Sequence, residues 1–182
     1  MNNHIVIPSR MVQALREHFF KNELEQGAFL FAQVSQEGVD LTLLAADYYL
    51  VPARGWAVQM EVYLEMRDSE RGKIMKLARE KNLCAIDCHS HPHAGDDVWF
   101  SPSDVVGISD FAEYAKWKLD RKPFAAMVWG EESVDAVLWH GDFTSAERVR
   151  AVTVAGNPNQ TIIPTGSWFC GPRGKNRFKY YE

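Results

Sequence analysis

Residues 83–104 have the sequence LCAIDCHSHPHAGDDVWFSPSD, and this stretch guides the interpretation of the whole chain. Its first part, Leu83 to Cys88, is short and partly apolar, which predicts a buried strand. Side chains alternate along a strand, so we expect His89 and His91 to point to the same face. The following residues, up to Phe100, include Pro, Gly and two Asp, which predict a loop. The sequence therefore predicts two neighbouring imidazoles at the end of a rigid strand.

A helix start follows the loop. Ser101 suits the N-cap position and Pro102 suits the first helical position. Asp104 then falls in the first turn, from which its carboxylate can reach back towards the two histidines. Two imidazoles and one carboxylate are three protein ligands for Zn²⁺, and a three-ligand zinc keeps its fourth position for water. We therefore predict one catalytic Zn²⁺ per chain, bound by His89, His91 and Asp104.

Other residues near this stretch leave alternatives open. Cys84 and Cys88 are rival zinc ligands, although strand alternation places them on the face opposite the histidines. His93 follows Pro92, where the alternation is broken, and is interpreted as a loop residue. Asp87 shares the face of the ligands, so it either orients His89 through the second ring nitrogen or forms an ion pair with a neighbour.

The combination of H-S-H-P with a later S-x-x-D resembles the JAMM motif of JAB/MPN-domain metalloproteases. That motif also has an upstream glutamate in a pattern close to E-x-x-G-x-L-x-G. The stretch EQGAFLFA at residues 25–32 is similar, with Ala28 and Ala32 in place of glycine. The resemblance covers about residues 4–140. It implies that Glu25 is the general base, while the nearby Glu23 lacks the matching register. It also implies that Ser101 hydrogen-bonds the oxyanion, although its hydroxyl is equally suited to capping the helix.

The resemblance and the element pattern together predict an α+β fold. The expected architecture is a single MPN/JAB-like domain over 1–142, with a curved, mostly antiparallel sheet flanked by helices. Residues 143–182 are predicted to be a C-terminal extension with a basic and aromatic tail. Within it, residues 144–155 fit neither the helical nor the strand period cleanly. The predicted elements are helices over 9–21, 68–81 and 102–120, hairpins over 27–51 and 123–140, and a single strand over 58–66.

Composition excludes several classes of function. The chain has 182 residues, of which 46% are hydrophobic, and this suits one globular domain. Its net charge of -4 gives no basic field for nucleic acid. No apolar run approaches the ~20 residues of a membrane span, and the N-terminus lacks the pattern of a signal peptide. Three cysteines, an odd number, favour reduced thiols. A cytoplasmic protein is therefore expected.

The resemblance also implies an activity and partners. It implies a zinc isopeptidase or peptidase that cuts after the C-terminal glycine of a ubiquitin-like modifier. Expected partners are the modifier, its conjugates, and the activating and conjugating enzymes of the same system. Two alternatives stay open: hydrolysis of another small amide or modifier precursor, and a non-catalytic scaffold. Scaffold members typically lose JAMM ligands, whereas this chain keeps all of them.

Overall fold

The computed structural model describes residues 2–170 of the chain, and this part folds around one large β-sheet. The strands are β1 (Asn3–Pro8), β2 (Gly27–Glu37), β3 (Asp40–Leu50), β4 (Trp56–Gln59), β5 (Leu64–Met66), β6 (Cys84–Ser90), β7 (Phe124–Trp129), β8 (Val134–Trp139), β9 (Glu147–Ala155) and β10 (Gln160–Ile162). The α-helices are α1 (Ser9–Phe19), α2 (Asp68–Glu80), α3 (Pro102–Lys118) and α4 (Ser167–Cys170).

The large sheet is a closed barrel of seven strands in the order β1-β3-β2-β6-β7-β8-β9. Closure comes from β9, which pairs in parallel with β1 along the whole length of β1. Three of the seven neighbouring pairs are parallel, namely β1–β3, β1–β9 and β6–β7, and the other four are antiparallel. The short strand β10 lies outside the ring on β9, and β4 with β5 forms a separate hairpin.

The chain is thus an α+β protein, but the predicted single MPN/JAB-like domain with a curved, mostly antiparallel sheet is wrong. The sheet is closed and mixed, with four α-helices among the described residues. The reason lies in residues 147–155, whose sequence pattern was ambiguous. They form β9, which supplies partners for β1 on one side and β8 on the other. Part of the predicted extension over 143–182 therefore belongs to the barrel.

Two hydrophobic clusters lie on the two faces of the barrel wall. The inner cluster takes alternate side chains from all seven barrel strands, including Leu30, Ile86 and Met127. Helix α1 packs on this cluster through Met11, Leu15 and Phe19. The outer cluster uses the intervening strand residues and the apolar faces of α2 and α3. Because side chains alternate along β6, its odd-numbered residues face the outer cluster, where the predicted site lies.

Most of the other predicted elements are confirmed within a few residues, including α1, α2, α3 and both hairpins. The exception is residues 58–66, which form two short strands instead of one. The turn between them is closed by the N–H of Met60, which donates to the carbonyl of Tyr63 at 2.9 Å. The exposed side chains of Met60 and Val62 at this turn gave the alternating apolar pattern without being buried.

Among residues 2–170, every helix is too short or too polar to cross a lipid bilayer. The basic and aromatic tail predicted for residues 171–181 lies outside the described residues.

Candidate metal centre

The three predicted ligands meet on the outer face of the barrel. His89 lies at the end of β6, His91 follows it, and Asp104 lies in the first turn of α3. One ligand atom from each lies within 4.8 Å of the other two. Asp104 Oδ2 is 3.5 Å from His89 Nε2 and 3.3 Å from His91 Nε2. Atoms bound about 2.0–2.1 Å from a tetrahedral zinc lie roughly 3.3–3.4 Å apart, so this spacing fits such an ion.

Burial of the imidazoles supports the same fit. His89 is 8% exposed, and its Nε2 atom is buried without a hydrogen-bond partner among residues 2–170. Its contact with Asp104 Oδ2, at 3.5 Å, is too long for a good hydrogen bond, so the buried nitrogen is only partly compensated and a bound cation would offset that cost. The ring centroids of His89 and His91 are 5.0 Å apart, and their Nε2 atoms lie 3.5 and 3.3 Å from the same oxygen, Asp104 Oδ2. The donor set therefore suits a divalent cation, although its identity rests on the ligand chemistry.

Asp104 is held by the start of helix α3. The backbone N–H of Ser101 donates to Asp104 Oδ2 at 2.7 Å, and Ser101 Oγ accepts the N–H of Asp104 at 3.2 Å. This reciprocal pair is a capping box, and Pro102 occupies the first helical position as predicted. The hydroxyl of Ser101 also lies 2.8 Å from Ser103 Oγ. Ser101 therefore caps the helix, while its contribution to an oxyanion site stays a prediction.

Glu25 lies beside the same point. It is 4% exposed, and its Oε1 atom is 3.3 Å from His91 Nε2. The β4–β5 hairpin holds its backbone, since the N–H of Glu25 donates to Met60 O and the side chain of Gln59 donates to Glu25 O, each at 2.9 Å. Glu23, by contrast, is exposed in the turn after α1. Of the two glutamates, Glu25 is the one next to the ligands.

Electrostatic coupling perturbs the acids and bases of the centre. Burial raises the pKa of Glu25 to about 8, with the charge of His89 opposing this rise and that of Asp104 adding to it. Burial lowers the pKa of His89, but the negative charge of Asp104, with smaller contributions from Glu25 and Asp87, outweighs it and raises the pKa to about 9. Burial lowers the pKa of His91. Burial alone would raise the pKa of Asp104, but the two histidines hold it well below the usual range.

The remaining candidates near the site differ in their surroundings. No hydrogen bond or ion pair of Asp87 is seen among residues 2–170, and its role in orienting His89 stays a prediction. Burial raises its pKa to about 6, while the charges of His89 and Arg71 oppose this rise and that of Asp104 adds to it. His93 is exposed and does not join the ligand group within the described part of the chain. Cys84 and Cys88 are free and buried in the inner cluster, across the wall from the histidines. Burial raises the pKa of Cys84 to about 12, as expected for an inert thiol.

A cleft of about 110 Å³ opens beside the ligands. It runs between the β4–β5 hairpin on one side and helices α2 and α3 on the other, with β6 as its floor. Its lining combines charged and polar side chains with apolar side chains and two glycines. The charged and polar residues are Glu25, Arg71, Asp87, His89, Ser103 and Asp104, and the others are Gly27, Trp56, Tyr63, Leu64, Met66, Gly107, Ile108 and Phe111. Sequence reasoning missed the aromatic walls and Arg71, because these residues belong to elements without a recognisable pattern of their own.

Two glycines shape this cleft. A Cβ atom at Gly27 would lie 2.5 Å from the ring of Trp56, so glycine is required for that ring to pack against β2. A Cβ atom at Gly107 would meet no atom within 4 Å, although the residue lies in the interior of α3. Glycine in a helix interior is unfavourable by about 1 kcal/mol relative to alanine. No packing contact within the protein therefore requires glycine at position 107, and the missing side chain leaves space at the cleft.

Comparison with solved structures gives a distant structural relative. A protein of Desulfitobacterium hafniense, with a structure determined in solution, is similar with a TM-score of 0.52. The two sequences are 14% identical, and the match covers 83% of this chain and 92% of the other. This likeness concerns the fold alone. No family model matches the sequence, and no curated protein matches it. The JAMM resemblance therefore rests on the motif residues and their arrangement.

Proposed function

We propose that this chain is a zinc-dependent hydrolase of amide bonds, with one Zn²⁺ held by His89, His91 and Asp104. The observation that carries this proposal is the convergence of three ligand atoms beside the buried carboxyl group of Glu25. Three protein ligands are typical of catalytic zinc, whereas structural zinc has four. Among the described residues this group has no fourth His, Cys, Asp or Glu ligand, which favours the catalytic type.

The chemistry divides between the cation and the protein. A bound Zn²⁺ would supply Lewis acidity and lower the pKa of water towards ~7. Glu25 is placed to accept a proton from water and to deliver it to the leaving amine. Its pKa, raised to about 8 by burial, suits a group that both takes and gives a proton near neutral pH. Ser101, at the start of α3, is the proposed hydrogen-bond donor to the developing oxyanion.

For the substrate, we propose the isopeptide or peptide bond after the C-terminal glycine of a ubiquitin-like modifier, as the JAMM resemblance implies. The cleft supports a thin, extended substrate because it is small, walled by aromatic rings and open beside Gly107. The terminal glycine of such a modifier has no side chain, so it would not clash with the walls of the cleft. Conjugates of the modifier would be the natural substrates, with activating and conjugating enzymes as further partners.

The test uses zinc-loaded protein with a linear fusion and an isopeptide-linked conjugate of a ubiquitin-like modifier from the same genome. Cleavage directly after the terminal glycine, identified by mass spectrometry and abolished by chelator, is the expected result. The Glu25→Gln variant serves as the matched zinc-loaded control. Turnover of small amides without cleavage of any conjugate would favour the small-amide alternative. Stoichiometric zinc with no turnover of either class would favour a binding module.

A further inference from the structure

We propose that residues 165–168, here named the C-terminal clamp, position the loop between His91 and Ser101 and thereby set the affinity of the metal centre. This inference rests on the proposed metal site. The loop contains no helix or strand, yet it joins two elements that both supply ligands. Its conformation therefore decides how the carboxylate of Asp104 faces the imidazoles.

The loop is held from two sides. On one side the N–H of Val98 donates to Ser133 Oγ at 2.9 Å, and that hydroxyl donates to the carbonyl of Gly95 at 3.0 Å. On the other side the clamp contacts the loop, because Thr165 Oγ1 donates to the carbonyl of Val98 at 2.9 Å. The N–H of Phe100 donates to Ser167 Oγ at 3.1 Å. Phe100 directly precedes the capping box that orients Asp104.

A buried carboxylate anchors the clamp to the barrel. Asp135 of β8 is 0% exposed and accepts hydrogen bonds from Ser167 Oγ at 2.5 Å and from the N–H groups of Gly166 at 2.9 Å and Trp168 at 3.2 Å. Because the hydroxyl hydrogen of Ser167 is directed at Asp135, its lone pairs are free to accept the N–H of Phe100. Ser167 thus relays the fixed position of Asp135 to the last residue of the loop.

Aromatic contacts extend the same connection to a ligand. The ring of Trp168 meets Phe100 edge-on with centroids 5.0 Å apart, and it meets Trp139 of β8 at 5.3 Å. Phe100 in turn lies 6.0 Å from the ring of His89. The clamp therefore reaches both ligand-bearing elements, through the backbone to Asp104 and through edge-on and tilted ring contacts to His89.

This arrangement is suited to positioning. A fully buried carboxylate is a costly way to attach a chain segment that already packs through Trp168. Its hydrogen bonds instead fix the orientation of the clamp against Phe100. Contacts that orient metal ligands typically change metal affinity 10–100-fold when they are removed. Asp135, Ser167 and Trp168 touch neither the substrate cleft nor the ligand atoms, so they are positioning residues.

The experiment compares Ser167→Ala with Ser167→Thr, which keeps the hydroxyl. Ser109→Ala is the matched control, since it removes a hydroxyl that donates to the Val105 carbonyl at 2.6 Å within α3. Zinc affinity is measured by competition with a chromophoric chelator, and Co²⁺-loaded samples report ligand geometry by their visible absorption. We expect zinc affinity at least about tenfold weaker and a changed Co²⁺ spectrum for Ser167→Ala. Ser167→Thr and Ser109→Ala should resemble the unmodified protein.

Trp168→Phe provides a second variant if Ser167→Ala fails to fold, and it should show a smaller loss in the same direction. An unchanged zinc affinity and Co²⁺ spectrum in the folded variants, even with a lower Tm, would overturn the proposal while leaving the proposed hydrolase intact. If the unmodified protein binds no zinc or Co²⁺, the proposed function fails instead. The claim about metal affinity then fails as well, and hydrogen exchange of residues 92–100, which should accelerate in Ser167→Ala, tests only whether the clamp positions the loop.

Discussion

Asp104 Oδ2 accepts the backbone N–H of Ser101 at 2.7 Å while it lies 3.3 Å from His91 Nε2. A single oxygen atom thus helps to begin helix α3 and faces the metal centre. Helix capping and metal binding are therefore coupled, and substitutions at this position can separate the two contributions.

Replacing Asp104 by Asn keeps an oxygen for the capping box but removes the negative charge of the ligand. We expect Asp104→Asn to lose most of its zinc and to lower the stability of the metal-free protein at neutral pH, because the charge of Asp104 also stabilises protonated His89. Asp104→Ala should lose the zinc and, relative to Asp104→Asn, about a further 1 kcal/mol of the free energy of unfolding, because no side chain then accepts the N–H of Ser101. Elemental analysis and denaturant unfolding of the metal-free forms measure both effects. The exposed Asp110, on the same helix, supplies the control Asp110→Asn. Full zinc occupancy in Asp104→Ala would refute the proposed ligand set.

Glu25 should be required for turnover but not for zinc. The substitution Glu25→Gln removes the proton acceptor while it preserves the size of the side chain, so kcat should fall by roughly 10²–10⁴-fold with zinc retained. The exposed Glu23 provides the matched control, and Glu23→Gln should be near neutral. Steady-state kinetics with zinc analysis decide the matter. The reverse result, an inactive Glu23→Gln beside an active Glu25→Gln, would transfer the role of base to Glu23.

Zinc binding should release a proton near neutral pH. Asp104 raises the pKa of His89 to about 9 against the lowering effect of burial, so this imidazole is protonated in the metal-free protein at pH 7.5. Zinc binds only the neutral ring, and its apparent affinity should therefore increase by up to tenfold per pH unit below about 9. Calorimetry in two buffers of different ionisation enthalpy counts the released protons. A count of zero with zinc bound would contradict this assignment.

The same shift has a consequence for the metal-free protein. A histidine whose folded pKa is raised contributes stability that is complete below its unfolded pKa of ~6.5 and is lost as pH rises through about 9. Chelator-treated protein should therefore lose this contribution between these pH values, whereas zinc-loaded protein should not follow that decline. Thermal unfolding of both forms across this pH range makes the comparison. The metal-free His89→Gln variant should lack the decline in stability that protonated His89 produces as pH rises.

Two substitutions at Gly107 test the stability of the fold and the access of substrate to the cleft separately. Because a Cβ atom there meets nothing within 4 Å, Gly107→Ala should stabilise the fold by about 0.5–1 kcal/mol. Gly107→Phe should instead fill the cleft and raise KM for the substrate with zinc content unchanged. Gly72 of α2 is equally open but does not line this cleft, so Gly72→Phe is the control. An unaltered KM in Gly107→Phe would place the substrate elsewhere.

The metal group could be predicted because its signals are local. His89 and His91 are two residues apart on one strand, and the cap at Ser101 fixes Asp104 by rules that act within one helical turn. The position of Glu25 needed the motif resemblance, since sequence spacing alone allowed Glu23 as well.

Barrel closure could not be predicted in the same way. It depends on pairing between Ile5 and Val152, which lie near opposite ends of the described chain, and the alternation in β9 is too irregular to identify a strand. The clamp was equally hidden, because Asp135 lies within an apolar hairpin strand and its partners are contributed by residues 165–168. Long-range contacts of this kind leave no periodic pattern in sequence.

The pairing of β1 with β9 also imposes an order on biosynthesis. Strand β1 leaves the ribosome first and can pair with β3 early, yet its second edge has no partner until residues 147–155 have been made. An unpaired strand edge is a site for association with other chains, so the nascent protein is exposed to this hazard until β9 has been made. All three metal ligands emerge before that edge is covered, and residues 165–168 emerge after it. Metal capture by the mature site is therefore expected to be a late, post-closure event.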